Sequence, residues 1–191
     1  MKIYIIEHDP VYAAVEPKDS DQTLVNLDFQ ADELKEFLDP GFRLVDKQKK
    51  RGNFYFLNDT ALVFDQIAFE AMSPFIDYSA TPNNVGLHQL FDVQVDGVGT
   101  LYIKNMIEAS NPVNKQASEW DPDNWKRTIE MGKLVFHRER VRSTNGLLKI
   151  PELNYRPLLV HTDVSNREHD FLICYHEKGL TGLMFREIWS G

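Results

Sequence analysis

The stretch from Leu147 to Trp189 constrains the fold more than any other part of the sequence, because strand, helix, turn and strand signals follow one another closely in it. Two short apolar runs at 147–151 and 157–160 predict strands, the first closed and the second opened by a proline. Leu183, Phe185 and Ile188 predict a last strand. Since an apolar terminal strand is seldom left frayed, we expect it to pair with another strand.

A helix is predicted between the second and third of these strands. Ser165 and Glu168 have the spacing of a capping box, in which each side chain binds the other residue's backbone N–H at a helix start. Lys178 and Gly179 end the helix with a cation and a residue that tolerates left-handed backbone angles. The expected buried face comprises Phe171, Leu172, Ile173, Cys174 and Tyr175. Cys174 is the only cysteine, so no intramolecular disulfide can form, and we interpret it as a small buried side chain.

The rest of the sequence predicts further strands and two more helices. Strands are expected at 3–6, 54–57, 61–64, 87–95, 101–107 and 134–141. The fourth and fifth of these form a hairpin. Helices are expected at 32–38 and, capped by Asp65, over 67–75. The predicted fold is therefore a single α/β (α+β) domain of residues 1–191, with a mixed, largely antiparallel sheet and three or four helices.

Acidic side chains are concentrated at the N-terminal end of the sequence. The formal net charge is −8, and residues 1–40 hold ten acidic and three basic side chains, which accounts for −7 of it. We therefore distinguish an acidic N-terminal flank, residues 1–46, which is either part of the domain or a subdomain of its own. Such a surface steers a basic partner and repels nucleic acid and anionic membranes, although a plain solvated surface has the same composition.

The composition indicates a folded cytoplasmic protein that binds neither nucleic acid nor membrane. An apolar content of 42% supplies a packed core, and no apolar run approaches the roughly 20 residues that span a bilayer. The first apolar run stops at Glu7, too early for a secretory signal. A basic run at 47–51 is short, and in an acidic chain it is more typical of a solvated loop than of a nucleic-acid contact.

No standard catalytic motif is present in the sequence. The chain lacks the nucleophile elbow of hydrolases, the phosphate-binding glycine loop, the dinucleotide fingerprint and the zinc-binding H-E-x-x-H helix. His161 and Asp163, at the end of a predicted strand, are the best candidates for a metal site or a general base. His169 and His176 are about 10 Å apart by helical rise, too far for one metal ion. We therefore expect no cofactor, no metal site and no catalysis.

Several segments of the C-terminal half carry a resemblance to a known family. They are Leu148-Lys-Ile-Pro-Glu152, Leu158-Leu-Val160, Val164-Ser165 and Gly179-Leu-Thr-Gly-Leu-Met-Phe-Arg-Glu187. In this order they resemble the C-terminal signature of the bacterial polymorphic-toxin immunity family numbered eleven, formerly catalogued as a domain of unknown function. The similarity extends from about Lys47 to the C-terminus, and Gly52-Asn53-Phe54 stands where some members of the family carry Gly-Asp-Phe.

The resemblance implies an immunity protein, which neutralises a cognate toxin by stoichiometric binding and occlusion of the toxin's active site. We expect the toxin to be basic, because the acidic flank would then steer association. The residues expected to contact it are Asp28, Asp32, Glu33, Glu36, Trp120 and Trp125. For the two tryptophans, burial against the sheet is an alternative. Two alternative functions remain: a small metal- or substrate-binding enzyme that uses His161 and Asp163, and a domain that binds a partner other than a toxin.

Overall fold

Ten strands and four helices make up the part of the chain that the structure, a computed structural model, describes. The described residues are 1–18, 40–57, 61–72, 75, 88–106, 112–119, 121, 124–142, 146–150, 157–163 and 170–191. The strands are β1 (Lys2–His8), β2 (Ala14–Pro17), β3 (Phe42–Val45), β4 (Phe54–Leu57), β5 (Ala61–Phe64), β6 (His88–Asp96), β7 (Gly99–Met106), β8 (Leu147–Leu148), β9 (Leu159–Thr162) and β10 (Leu183–Ser190). The helices are α1 (Gln66–Ala71), α2 (Trp125–Glu130), α3 (Arg138–Arg142) and α4 (Phe171–Glu177). None of these helices is long and apolar enough to cross a membrane.

The described strands form two sheets. In the first sheet the order is β10, β1, β9, β8, and every neighbouring pair is antiparallel. In the second sheet the order is β2, β3, β6, β7, β5, β4, and the β3–β6 pair is parallel while the other pairs are antiparallel. The predicted α/β (α+β) class with largely antiparallel strands is confirmed. The strands divide between two sheets, however, where the sequence predicted one.

β1 lies in the interior of the first sheet, although it comes from the start of the sequence. It pairs with β9 on one side and with β10 on the other, so the predicted pairing of the last strand is confirmed. Its side chains explain this position, because Ile3 and Ile5 are buried on one face and Ile6 is buried on the other. The described residues of the acidic flank thus contribute strands to both sheets.

Three clusters of buried side chains hold these layers together. The central cluster joins the two sheets, packing Ile6 of β1 and Phe54 of β4 against Phe171 of α4. A second cluster lies on the other face of the second sheet. The third cluster packs the other face of the first sheet against α2 and α3, through Ile129 and Val141. The first sheet therefore has buried side chains on both faces.

The ends of α1 and α4 are set by local hydrogen bonds. Asp65 caps α1 as predicted, accepting a hydrogen bond from the Ala68 backbone N–H at 2.8 Å. For α4, the predicted start at Ser165 is wrong. Asp170 has extended backbone angles and accepts a hydrogen bond from the Ile173 backbone N–H at 3.1 Å, so it caps a helix that begins at Phe171. Residues 164–169, with both members of the expected capping box, lie outside the described residues, as does the predicted helix at 32–38.

The C-terminal end of α4 is the one that the sequence predicts. The Leu180 backbone N–H donates to the Tyr175 carbonyl at 3.0 Å, and Gly179 donates to the His176 carbonyl at 3.1 Å. This is a Schellman motif, which requires a left-handed residue after the helix. Gly179 supplies it with a φ of 64°. The motif reverses the chain directly into β10.

The strand predicted at 134–141 is wrong, because α3 begins inside it at Arg138. Phe136 forms an isolated bridge with Val113, and the Val141 backbone N–H already donates to the His137 carbonyl at 3.1 Å. Phe136 and Val141 both belong to the third core cluster. In a strand they would face opposite sides, since their positions differ by an odd number, whereas a helical turn brings both to the same cluster.

Candidate functional site

The residues expected to contact a partner lie mainly outside the described part of the chain. Those outside it are Asp28, Asp32, Glu33, Glu36 and Trp120. Trp125 is the first residue of α2, and the structure describes its place in the helix but not its side chain. α2 is anchored on the first sheet by Ile129. The role of these residues in binding stays a prediction.

His161 and Asp163, the alternative candidates, lie at the end of β9. The Asp163 carboxylate accepts a hydrogen bond from the Arg142 guanidinium at 2.7 Å, and its side chain is 13% exposed. Its backbone N–H donates to the buried Asp170 carboxylate at 3.1 Å. The His161 backbone N–H bonds to the Gly146 carbonyl, and the residue is buried. Asp163 thus connects α3 and the cap of α4 to the first sheet, so its hydrogen bonds stabilise the fold.

The other histidine pair does not form a site within the described residues. His176 is exposed on α4, with its ring 5.9 Å from that of Phe185, and His169 lies outside the description. Across the described ranges, no group of three His, Cys, Asp or Glu side chains is placed to hold a metal ion. Cys174 is half-buried, its thiol donates to the Ala71 carbonyl at 3.4 Å, and burial raises the pKa of the thiol.

Two motifs quoted for the family resemblance meet at one place, although Asn53 and Thr181 are 128 positions apart. The Asn53 side-chain oxygen accepts a hydrogen bond from the Thr181 backbone N–H at 3.2 Å. The Phe54 backbone N–H donates to the Thr181 carbonyl at 2.9 Å. Asn53 Nδ2 donates to the Asp65 carboxylate at 3.0 Å. Asn53 therefore connects the start of β4 and the cap of α1 to the turn before β10.

This junction requires glycine at position 182. Gly182 has a φ of 107°, and a Cβ there would overlap the Phe54 carbonyl oxygen. A Cβ at Gly52 would lie 3.0 Å from the Gly182 Cα, so the two backbones are nearly in contact. The glycines of the two motifs therefore allow the two sheets to approach closely, which explains their presence by the fold and not by ligand chemistry.

A cleft of about 420 Å³, the β1–β10 cleft, opens where these two strands face α2. Its lining includes Glu7, Lys126, Ile129, Glu130, Met184 and Arg186. Met184 is 40% exposed and is one of three exposed large hydrophobic side chains among the described residues. The register places Met184 opposite Glu7 and Arg186 opposite Ile5, so all four side chains share one face of the sheet.

The charges of the β1–β10 cleft are balanced. The Arg186 guanidinium donates two hydrogen bonds to one Glu7 oxygen, at 2.9 and 2.6 Å. Lys126 and Glu130 add one charge of each sign from α2. Nucleic acid needs a run of cations along its backbone, whereas protein interfaces combine an apolar centre with a polar rim. The β1–β10 cleft has the second composition.

A second cleft, of about 450 Å³, opens between the start of α1 and the β6–β7 hairpin. Tyr55, Asp65 and Ile67 are part of its lining. Burial and the charge of Asp65 raise the pKa of the Tyr55 phenol, so the hydroxyl stays protonated. The two Asp65 oxygens already accept hydrogen bonds from Ala68 and Asn53. Because that carboxylate serves the fold, we regard the β1–β10 cleft as the better candidate site.

The β1–β10 cleft cannot be predicted from the sequence, because its residues come from three distant segments. Glu7, Lys126 and Arg186 approach one another only after β10 pairs with β1 and α2 packs on them. No spacing in the sequence encodes that meeting. The one signal in the sequence is the last strand, where the charged residues Arg186 and Glu187 interrupt the apolar ones.

In comparisons with known proteins, no protein-family model and no curated protein matches the chain. The choice of site therefore depends on the geometry of the β1–β10 cleft.

Proposed function

We propose that the protein is an immunity protein that binds a cognate bacterial toxin stoichiometrically in the cytoplasm and covers the toxin's active site. The observation that supports binding most directly is the β1–β10 cleft, where exposed Met184 lies beside the Glu7–Arg186 ion pair. A flexible thioether adapts to a partner's surface, and charges at its margin select the partner. The resemblance of the C-terminal motifs supports a toxin as that partner.

The cleft is built for binding without large rearrangement. Two of its three walls are neighbouring strands, and the third is α2, which the third core cluster fixes to the sheet. A rigid surface loses little conformational entropy on association, so more of the contact energy appears as affinity. In this proposal Met184 is the buried anchor of the complex. Asp28, Asp32, Glu33 and Glu36 remain proposed contacts that steer a basic toxin, and Trp120 and Trp125 remain proposed aromatic contacts.

Co-expression with the product of the adjacent upstream gene tests this function. We expect the toxin domain alone to stop growth, and co-expression to restore growth and to give a complex of one copy of each chain, measured by size-exclusion chromatography with light scattering. Met184→Lys should weaken the complex about tenfold or more, because it places a charge in the apolar centre. The matched control is Ile67→Lys, which adds the same charge at a side chain that is 64% exposed in the second cleft.

Two results would count against the proposal in different ways. If the upstream product is harmless, or kills despite co-expression, the toxin-neutralising function is wrong and the resemblance is one of fold alone. If the wild type restores growth and the two lysine variants bind equally well, the function stands and the β1–β10 cleft is not the binding site.

Charge reversal tests the steering role of the acidic flank. Replacing Asp28, Asp32, Glu33 and Glu36 together with lysine should lower the association rate constant about tenfold or more, and should make it less sensitive to salt. Stopped-flow mixing at several ionic strengths measures both effects. The matched control reverses four exposed acids elsewhere, Glu70, Asp92, Glu119 and Glu139. Equal slowing in both variants would show that net charge acts, and not this segment.

A further inference from the structure

β10 is an edge strand. Among the described residues it pairs with β1 on one side, and no strand lies on its other side. Its eight residues therefore carry an outer row of backbone N–H and C=O groups. A row of this kind is a template for a further strand, so the groups that are still available determine what the edge can bind.

Hydrogen bonds at the two ends of the β1–β10 pair fix its alternation. At one end the Asp9 backbone N–H donates to the Gly182 carbonyl at 3.1 Å. At the other end Gly191 and Met1 bond to each other in both directions, at 3.1 and 3.0 Å. In an antiparallel pair, positions that bond to the partner strand alternate with positions whose backbone groups face away.

This alternation divides the residues of β10 into two sets. Counting from Gly182, the positions that bond to β1 are Met184 and Arg186. The backbone groups of Leu183, Phe185 and Glu187 face the outer edge. The register irregularity of the pair comes only beyond Glu187, so it does not change this assignment.

Tyr175 shows that the outer edge begins where this count places it. The Tyr175 hydroxyl accepts a hydrogen bond from the Leu183 backbone N–H at 3.0 Å and donates to the Leu183 carbonyl at 3.2 Å. The outward groups of Leu183 are thus satisfied by α4. The available part of the edge starts two residues later, at Phe185.

The charged side chains of β10 leave this edge uncovered. Exposed edges are commonly protected by charges that project across them. Here Arg186 pairs with Glu7 and Glu187 pairs with Lys2, each at 2.6 Å, so both charges are directed back over β1. The side chains of Arg186 and Glu187 are nevertheless 50% and 40% exposed, which leaves the strand within reach of a partner.

We infer that an extended segment of the toxin adds to β10 as a fifth strand of the first sheet, bonding to the outward groups of Phe185 and Glu187. This inference rests on the proposed function, because the toxin is the partner. The edge adjoins the β1–β10 cleft, since the side chains of Met184 and Arg186 line the cleft and alternate along β10 with the edge residues Phe185 and Glu187. One partner can therefore occupy the cleft and the edge together.

The side chains of β10 define the sequence that this segment needs. Phe185 is half-buried against Tyr175, at 5.0 Å between ring centroids, and extends an apolar surface toward the edge. The partner strand should place an apolar side chain opposite Phe185 and a basic one opposite Glu187. A basic toxin supplies the second.

A second copy of this chain fits the edge less well. Two identical strands related by a twofold axis pair antiparallel about one central residue. If the central residue is Arg186 or Glu187, that residue lies opposite its own copy, and like charges directly opposite are destabilising. Centring on Phe185 aligns Glu187 with Leu183, whose backbone groups Tyr175 already binds. A foreign strand avoids these conflicts.

Glu187→Pro tests the inference, with Glu187→Ala as the matched comparison. Both variants lose the side chain that pairs with Lys2, but only proline also removes the outward N–H, and proline is tolerated at such edge positions. We expect proline to weaken toxin binding about tenfold or more relative to alanine, measured by titration calorimetry, because it removes a hydrogen bond and blocks close strand approach. Thermal unfolding of both variants shows whether the fold is kept.

Hydrogen exchange of the wild-type complex is the second measurement, which holds even if the proline variant does not fold. The amides of Phe185 and Glu187 should exchange at least tenfold more slowly with toxin bound, while the Leu183 amide changes little because Tyr175 already protects it. If the toxin binds but these amides are unchanged, or if proline and alanine bind alike, the strand inference fails and the function stands. If the wild type does not bind the toxin, both fail. A wild-type dimer that proline dissociates would assign the edge to a second copy and overturn the inference.

Discussion

Replacing Gly182 with alanine should lower the free energy of unfolding by on the order of 4 kcal/mol, or prevent folding altogether. Two costs act at once. The alanine Cβ would overlap the Phe54 carbonyl oxygen, and the φ of 107° is one that residues other than glycine rarely adopt. The only relief is to separate β4 from the turn before β10, which breaks the Phe54–Thr181 backbone hydrogen bond. Urea denaturation followed by circular dichroism measures the loss.

Gly179→Ala is the matched control for this substitution. Gly179 also has a positive φ, 64°, but a Cβ there meets no heavy atom within 4 Å. The free energy of unfolding of its alanine variant should therefore fall only by the conformational cost of a left-handed residue, about 1–2 kcal/mol. If the two variants lost the same stability, the close approach at Gly182 would not be what holds the sheets together.

Replacing Phe171 with alanine should cost about 3–5 kcal/mol, the usual range for a fully buried phenylalanine. The ring is 1% exposed and touches the rings of Phe54, Phe75 and Phe185, with centroids 6.2, 5.8 and 6.4 Å away. These neighbours belong to both sheets and to the segment after α1, so they cannot all move to fill the cavity. Urea denaturation measures this loss too, and the slope of the unfolding free energy against urea concentration is compared with that of the wild type.

Leu172→Ala separates the packing of Phe171 from the stability of α4 itself. Leu172 is the next residue of the same helix and is only half-buried. Alanine favours helix at both positions, so a difference between the variants reports the core. We expect Leu172→Ala to cost about 1 kcal/mol. A Phe171 variant that lost no more than this would show that the central cluster repacks.

The structural features that the sequence predicted correctly depend on neighbouring residues. The Asp65 cap, the Gly179 helix end and the β6–β7 hairpin each involve contacts within a few positions of the chain. Such contacts leave their mark in spacing and residue type. They are therefore visible before any tertiary structure is known.

The features that the sequence predicted wrongly depend on distant partners. Ser165 and Asp170 are both acceptable caps, and Asp170 has the additional bond to the Asp163 backbone. The apolar run Leu134-Val135-Phe136 is typical of a strand, but a helical turn after it places Phe136 and Val141 in the same core cluster. The division into two sheets and the β1–β10 cleft likewise arise from pairing between the two ends of the chain. The local pattern of apolar and polar residues does not predict contacts between such distant residues.

The interior position of β1 has a consequence for the order in which the protein folds. The seven residues of Lys2–His8 are synthesised long before the residues with which they pair, Leu159–Thr162 and Leu183–Ser190. Closing loops of that length is entropically costly, and topologies dominated by such contacts fold slowly. The second sheet has partners nearer in sequence and can form earlier on the ribosome, while β1 waits as an unpaired apolar strand. Until β9 and β10 have both been synthesised, β1 has at least one unpaired edge, which exposes the nascent chain to aggregation.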